Sequence, residues 1–156
     1  MPVGRPVQYR SGDDIEYWGL DVTSELRATD ALTVFGTTSI VSDDAFDGGE
    51  GEDIALNAPA FKAKGSVDYG LPRSSTVGAT VHHIGAFPVR FGPCTGAVGD
   101  YTLLDVRLRS SLPAVPGLSV NVTAQNVLGT DHREFVGSPA LGRMVVARLT
   151  YELPSP

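Results

Sequence analysis

This sequence of 156 residues has little cysteine, few basic residues and no long apolar run. Its single cysteine, Cys94, permits no internal disulfide, and without Cys/His ligand spacing around it no zinc site is expected. The 12 Lys and Arg residues are scattered singly in a chain of net charge -6, which argues against nucleic acid as a partner. No run reaches the roughly 18 apolar residues of a transmembrane helix, so any membrane role would have to use strands. The first residues also lack the apolar core of a signal peptide, and we expect any export signal to lie outside this chain.

Helical periodicity is also scarce, and the 18 glycines and 11 prolines fall mostly between segments in which apolar and polar residues alternate. In the clearest segment Leu104 and Val106 alternate with Asp105 and Arg107. A period of two is typical of an extended strand with one apolar face. The sequence therefore predicts an all-β fold of about seven strands, near residues 15–27, 32–42, 58–71, 76–87, 101–112, 118–125 and 144–153.

The lengths of the predicted strands and of their connections favour a membrane β-barrel. The segments are about 11 to 14 residues long, whereas strands of soluble domains cluster near 5–6 and a tilted membrane-spanning strand needs ~9–11. The connections alternate between short turns, near 28–31, 72–75 and 113–117, and long loops, near 42–59, 85–99 and 129–142. Short periplasmic turns and longer extracellular loops are typical of outer-membrane barrels. We therefore predict an antiparallel meander, part of a transmembrane β-barrel, over residues 15–153, with a polar segment (1–14) before it and a tail (154–156) after it.

The two predicted faces of these strands differ in chemistry. Aromatic residues near the strand ends of the apolar face are expected to form two interfacial girdles, because amphipathic rings suit the headgroup region. They are Trp18, Phe61 and Phe87 at the long-loop side and Tyr69 and Tyr151 at the short-turn side. The opposite face is expected to line a hydrated lumen with cross-strand ion pairs. Its charged residues are Glu25, Arg27, Lys62, Lys64, Asp105, Arg107 and Arg109.

No pattern in the loops identifies a ligand or a reaction. The acidic loop offers oxygens for a cation, but it lacks the ligand order of an EF-hand, so a solvated segment is the simpler interpretation. Its weak ligand-binding candidates are Asp43, Asp44, Asp47, Glu50, Glu52 and Asp53. Asp131, His132 and Glu134 come with no nucleophile or paired base, so we predict no catalytic residue, enzyme activity, cofactor or metal site. The adjacent His82 and His83 should point to opposite faces of a strand and cannot chelate one ion together.

Six stretches of the chain, in this order and spacing, resemble the C-terminal barrel strands of TonB-dependent outer-membrane receptors. They are LRATDALTVFGTTSIV at 26–41, NAPAFKAKGSVDYGLP at 57–72, IGAFPVR at 84–90, GDYTLLDVRLRSSLP at 99–113, AQNVLGTDHREF at 124–135 and LGRMVVARLTYEL at 141–153. Asn126, Val127 and Leu128 stand where such receptors often carry an Asn-Leu-Phe signature before the last extracellular loop. The resemblance covers most of the chain.

The resemblance implies a protein of the cell outer membrane that takes up a scarce, bulky nutrient such as a ferric siderophore. Its partners would be outer-membrane lipid, the rest of the barrel, a plug domain and, through an N-terminal part, the energy-coupling complex of the inner membrane. No plug is recognisable before Tyr17, and seven strands are too few to close a receptor barrel, so we expect a C-terminal fragment or a truncated product. Two alternatives stay open. One is a porin fragment, and the other is a soluble antiparallel β-sandwich binding module that buries Leu104, Val122 and Leu149 between two sheets.

Overall fold

The computed structural model describes residues 16–42, 55–91 and 94–153, and every regular element in these ranges is a strand. The strands are β1 Gly19–Arg27, β2 Leu32–Val41, β3 Phe61–Leu71, β4 Ser75–Ile84, β5 Phe87–Phe91, β6 Cys94–Val98, β7 Tyr101–Ser111, β8 Leu118–Gln125 and β9 Met144–Tyr151. The prediction of an all-β fold is confirmed. No helix with the length and hydropathy of a membrane span occurs among the described residues.

Seven of these strands form one antiparallel sheet in the order β1-β2-β3-β4-β7-β8-β9. Each strand pairs with the next one in the list, so the predicted meander of seven strands is confirmed. The sheet is open within the described ranges, where β1 pairs with β2 alone and β9 with β8 alone. Closure into a barrel therefore stays a prediction.

The fourth strand is shorter than predicted, and the predicted long loop over residues 85–99 contains a hairpin that the sequence does not predict. The strand ends at Ile84, and β5 pairs with β6 in a separate two-stranded sheet. Its proline, Pro88, has no N–H to donate, and a two-stranded sheet tolerates such a residue at its edge. The hairpin is held by burial, because Val89 is fully enclosed and Val98 is 3% exposed. Phe87, predicted to belong to an aromatic girdle, begins this hairpin and lies outside the seven-stranded sheet.

The register of the large sheet aligns apolar residues on one face. One row of cross-strand partners crosses all seven strands and is apolar throughout. It consists of Leu26, Val34, Val67, Ala79, Val106, Ala124 and Val145. The next row, displaced by one residue, lies on the other face and holds Arg27, Thr33, Asp68, Gly78, Arg107, Thr123 and Val146. A shift of one residue in the pairing of any strand would move its apolar side chains to the polar face and its polar side chains to the apolar face, so the alternation fixes the register.

The apolar face is uncovered in the part of the chain that the structure describes. Val145 and Leu149 are each 70% exposed, and Leu104 and Val122 are half-buried. The hairpin makes no strand-to-strand contact with the large sheet. Packing of two sheets over Leu104, Val122 and Leu149, which the sandwich interpretation requires, is therefore not found among the described residues.

The three predicted short turns lie together at one edge of the sheet. Thr29 Oγ1 accepts hydrogen bonds from the next residues of the first turn, including the Leu32 N–H at 3.0 Å. The second turn places Arg73 and Ser74 at φ 65° and 54°. In the third, Gly117 has φ 82°, and a Cβ there would overlap the Glu152 carbonyl. The long connections all leave from the opposite edge, as the alternation of loop lengths predicts.

Candidate functional site

All seven charged residues predicted for the polar face share that face of the sheet. The set comprises Glu25, Arg27, Lys62, Lys64, Asp105, Arg107 and Arg109. Two of them contact a side chain on another strand: Arg107 forms an ion pair with Asp68, and the Asp105 carboxylate lies beside the His82 imidazole. Asp68 and His82 are absent from the predicted set. Whether this face lines a lumen stays a prediction, but its chemistry is polar and its pairs cross between strands.

The Asp68–Arg107 pair reaches over an intervening strand. Asp68 lies on β3 and Arg107 on β7, and both are register partners of Gly78 on β4. Arg107 Nε donates to Asp68 Oδ1 at 3.0 Å, and its Nη2 contacts the other carboxylate oxygen, which makes the pair bidentate. A Cβ at Gly78 would overlap the Asp68 carboxylate and lie 2.8 Å from Arg107 Nε. The missing side chain of Gly78 is therefore what lets the pair form.

Gly78→Ala should displace this ion pair and destabilise the folded sheet by about 1–3 kcal/mol, since the added methyl group meets two interacting side chains. Gly65→Ala is the matched control, because a Cβ at Gly65 has no atom within 4 Å. That control should change stability by no more than about 0.5 kcal/mol. Urea unfolding of the refolded variants measures both values. Equal midpoints for the two variants would contradict the role given to Gly78.

A second polar contact joins the large sheet to the last long loop. His82 Nε2 lies 3.3 Å from Asp105 Oδ2, and Asp105 Oδ1 accepts the Asn126 N–H at 2.9 Å. His83 points to the opposite face, where its Nδ1 lies 2.9 Å from Thr102 Oγ1, as expected for adjacent residues on a strand. Asp105 thus ties the sheet to the residue at which β8 ends and the loop begins.

Asn126 organises the start of that loop. It is 3% exposed and has φ 51°, a left-handed conformation that asparagine tolerates better than most residues. Its side-chain amide pairs with both peptide groups of Thr130, donating to the carbonyl at 2.8 Å and accepting the N–H at 2.9 Å. Thr130 Oγ1 in turn donates to the Thr102 carbonyl at 3.1 Å. The side chain of Asn126 therefore supplies the two hydrogen bonds that a neighbouring strand would otherwise give to the Thr130 backbone.

Asn57 repeats this arrangement before β3. It has φ 55°, accepts the Arg90 N–H at 2.6 Å and donates to the Arg90 carbonyl at 3.2 Å. These bonds attach residues 55–60 to β5. Two asparagine amides, that of Asn126 buried and that of Asn57 exposed, therefore attach segments at the loop edge. We call this edge the loop platform (residues 55–60, 85–91, 94–100 and 126–143).

The platform contains a cleft of about 590 Å³ between β6 and the last long loop. We call it the loop cleft; its lining runs over residues 96–101, 131–133, 135–137 and 140. Gly96 of β6 and Val136 of the last long loop lie close together, because a Cβ added at Gly96 would be 3.2 Å from the Val136 methyl groups. The two sides of the cleft therefore touch at this point. The rings of Tyr101 and His132 lie in contact, with centroids 4.6 Å apart and their planes tilted by 36°. A smaller cavity of about 470 Å³ on the polar face, beside Asp105 and Asn126, shares His132 with the cleft.

The other predicted site residues have different outcomes. Four of the five girdle aromatics lie on the apolar face at the expected edges and are exposed: Trp18, Phe61, Tyr69 and Tyr151. The acidic-loop candidates lie outside the described residues: Asp43, Asp44, Asp47, Glu50, Glu52 and Asp53. So do the segments 1–14 and 154–156. Among the described ranges no group of three His, Cys, Asp or Glu residues is arranged to hold a metal ion.

Neither family models nor curated proteins identify a relative of this chain. No family model matches the sequence. No curated protein matches it at a significant level. A function for this chain therefore rests on its own residues and their arrangement.

Proposed function

We propose that the seven-stranded sheet is a section of the wall of a transmembrane β-barrel in an outer membrane. One observation carries this proposal: an apolar row crosses all seven strands, with its five Leu and Val side chains exposed and its two alanines half-buried, while charged residues occupy the other face. An apolar surface of this extent is unfavourable in water and is stable against lipid chains. A barrel wall has lipid on one side and a polar interior on the other.

Strand length and aromatic placement support the same function. The wall strands contain between 8 and 11 residues, close to the ~9–11 that a tilted strand needs to cross the hydrocarbon layer. Trp18 and Phe61 mark the long-loop edge, and Tyr69 and Tyr151 mark the short-turn edge. Rings at two levels of one face suit the two headgroup regions. The loop platform then lies on the external side.

Within this proposal the barrel belongs to a TonB-dependent receptor that takes up a scarce nutrient. The resemblance of six ordered stretches supports this family, and the ordered loop platform offers a surface for selecting a ligand. Lipid excludes unpaired strand edges, so β1 and β9 must pair with further strands of the barrel. A plug domain would face the Asp68–Arg107 and His82–Asp105 pairs, and energy coupling would act through the plug.

Trp18 provides the test, because it is the only tryptophan of the chain and is 61% exposed on the apolar face. On refolding from urea into lipid vesicles, its emission should shift to the blue. Lipids brominated near the headgroup should quench it more strongly than lipids brominated near the chain ends, as expected for an interfacial ring. The measurement is steady-state fluorescence with a series of brominated lipids.

A tryptophan on the polar face is the matched control. Phe35 lies on that face of β2, so Phe35→Trp in a Trp18→Phe background should report a site away from lipid and show little quenching. Equal quenching of the two proteins, or none for Trp18, would contradict a sheet with one lipid-facing side. Recovery of the full-length gene product in a soluble fraction without detergent would also overturn the proposal.

A further inference from the structure

The loop cleft has the size and lining of a small-molecule site, and we propose that it binds a cationic ligand: a protonated amine on a compact apolar or aromatic body. Its volume of about 590 Å³ falls within the range of ~300–1,000 Å³ found for ligand pockets. Such pockets combine apolar walls with a few polar groups that converge on the ligand. Both components are present here.

His132 lines both this cleft and the smaller cavity beside it, and it supplies a buried acceptor there. The residue is 8% exposed, and its Nδ1 lies 3.3 Å from the Thr130 carbonyl oxygen. Because a carbonyl can only accept, Nδ1 is the protonated nitrogen in the neutral form of the ring, and Nε2 of that form is an acceptor. Nε2 has no hydrogen-bond partner among the described residues. Every fully enclosed side-chain nitrogen or oxygen in the described ranges has a partner, so Nε2 must be accessible from a cavity. A ligand donor would satisfy it.

The charged lining of the cleft also favours a donor. Asp100 and Asp131 both line it and are exposed, so they present carboxylates that accept hydrogen bonds. The single cation of the lining, Arg133, donates to the Ser138 carbonyl at 2.5 Å and is thereby held against its own loop. Acceptors and negative charge therefore prevail, which attracts an ammonium group and repels a carboxylate. Solvent screening keeps this preference moderate.

The apolar part of the lining defines the rest of the ligand. Val98, which is 3% exposed, and Val136 form a wall, and the Phe135 side chain is 41% exposed at the cleft. Tyr101 offers a ring that lies against His132 and can receive a cation on its face. An amine joined to a ring by a short chain would place its charge at the carboxylates and its ring against this wall.

Two probes of equal shape and opposite charge test the inference: phenethylamine and 3-phenylpropionate. The protein is the full chain refolded in zwitterionic vesicles, and binding is measured by saturation-transfer NMR. Phenethylamine should bind at least about tenfold more tightly than 3-phenylpropionate, a difference that corresponds to ~1.4 kcal/mol. Equal binding of the two probes, or no binding of the amine, would overturn the inference.

Variants assign the binding to the cleft. Asp100→Asn combined with Asp131→Asn should weaken phenethylamine about tenfold. Glu152→Gln, which removes a carboxylate from the cleft at the short-turn edge, should leave it unchanged. Loss of amine binding in Glu152→Gln would contradict the assignment, and so would unchanged amine binding in the double variant. The inference rests on the proposed function only in placing the cleft outside the membrane. The Trp18 fluorescence of the same samples reports failure of the proposed function separately.

Discussion

Val67→Arg should prevent stable insertion of the sheet into a bilayer. Val67 lies near the middle of β3 in the apolar row, paired with Val34 and Ala79, and is 39% exposed. An arginine at the bilayer midplane on the lipid face of a barrel costs about 2–4 kcal/mol. The side chain cannot reach the other face, because neighbouring positions on a strand alternate between the two faces. The cost is therefore retained in the folded state.

Ser66→Arg is the control for this prediction. Ser66 is adjacent to Val67 but belongs to the polar face, where it pairs with Phe35 and Thr80. Its arginine would meet water or polar groups, and insertion should proceed as in the unchanged chain. The fraction of each protein that resists protease after mixing with vesicles measures insertion. Equal insertion of the two variants would show that both faces meet the same environment, as they would in a soluble sheet.

Asn126→Ala should unfold the start of the last loop and destabilise the protein by about 2–4 kcal/mol. The substitution removes both hydrogen bonds to Thr130 and leaves its half-buried N–H and carbonyl without their Asn126 partner. It also forces alanine into φ 51°, which costs roughly 1–2 kcal/mol for a residue with a Cβ. Urea titration measures the stability, and hydrogen exchange at the Thr130 amide measures the local opening.

Two further variants separate the two causes. Asn126→Gly removes the hydrogen bonds but tolerates the positive φ, so it should be less destabilising than Asn126→Ala by roughly 1 kcal/mol. Asn57→Ala removes the same kind of amide pairing and should accelerate exchange at Arg90 while leaving Thr130 protected. Unchanged exchange at Thr130 in Asn126→Ala would show that the amide does not hold the loop.

The strands of the large sheet were predictable because their information is local. Each alternates over most of its length, as with Leu104 and Val106 against Asp105 and Arg107, and one buried or lipid-facing side requires such alternation. The hairpin was missed because Gly85, Pro88 and nearby glycines have loop composition. Val89 is fully enclosed in it, and the Asn57 side chain bonds to Arg90 from 33 residues away, a contact that the local pattern does not reveal.

The polar contacts depend on the register between neighbouring strands, which the residue pattern of a single strand does not reveal. The pairing of Asp68 with Arg107 follows once both are known to flank Gly78, and alternation alone does not give that alignment. The sequence alone likewise does not predict the role of Asn126. The resemblance places this residue before the last loop, but its amide hydrogen bonds to Thr130 depend on the conformation of the backbone. The ring contact between Tyr101 and His132 brings together separate segments in the same way.

The direction of the two edge strands limits how this wall can be completed. With seven antiparallel strands in sequence, β1 and β9 both run from the long-loop edge toward the short-turn edge. A ring in which every neighbour is antiparallel contains an even number of strands. In the proposed barrel, the section that closes this sheet would therefore contribute an odd number of strands. Two copies of this sheet joined around a common axis would meet at two parallel seams, so a symmetric pair is a poor way to close the ring.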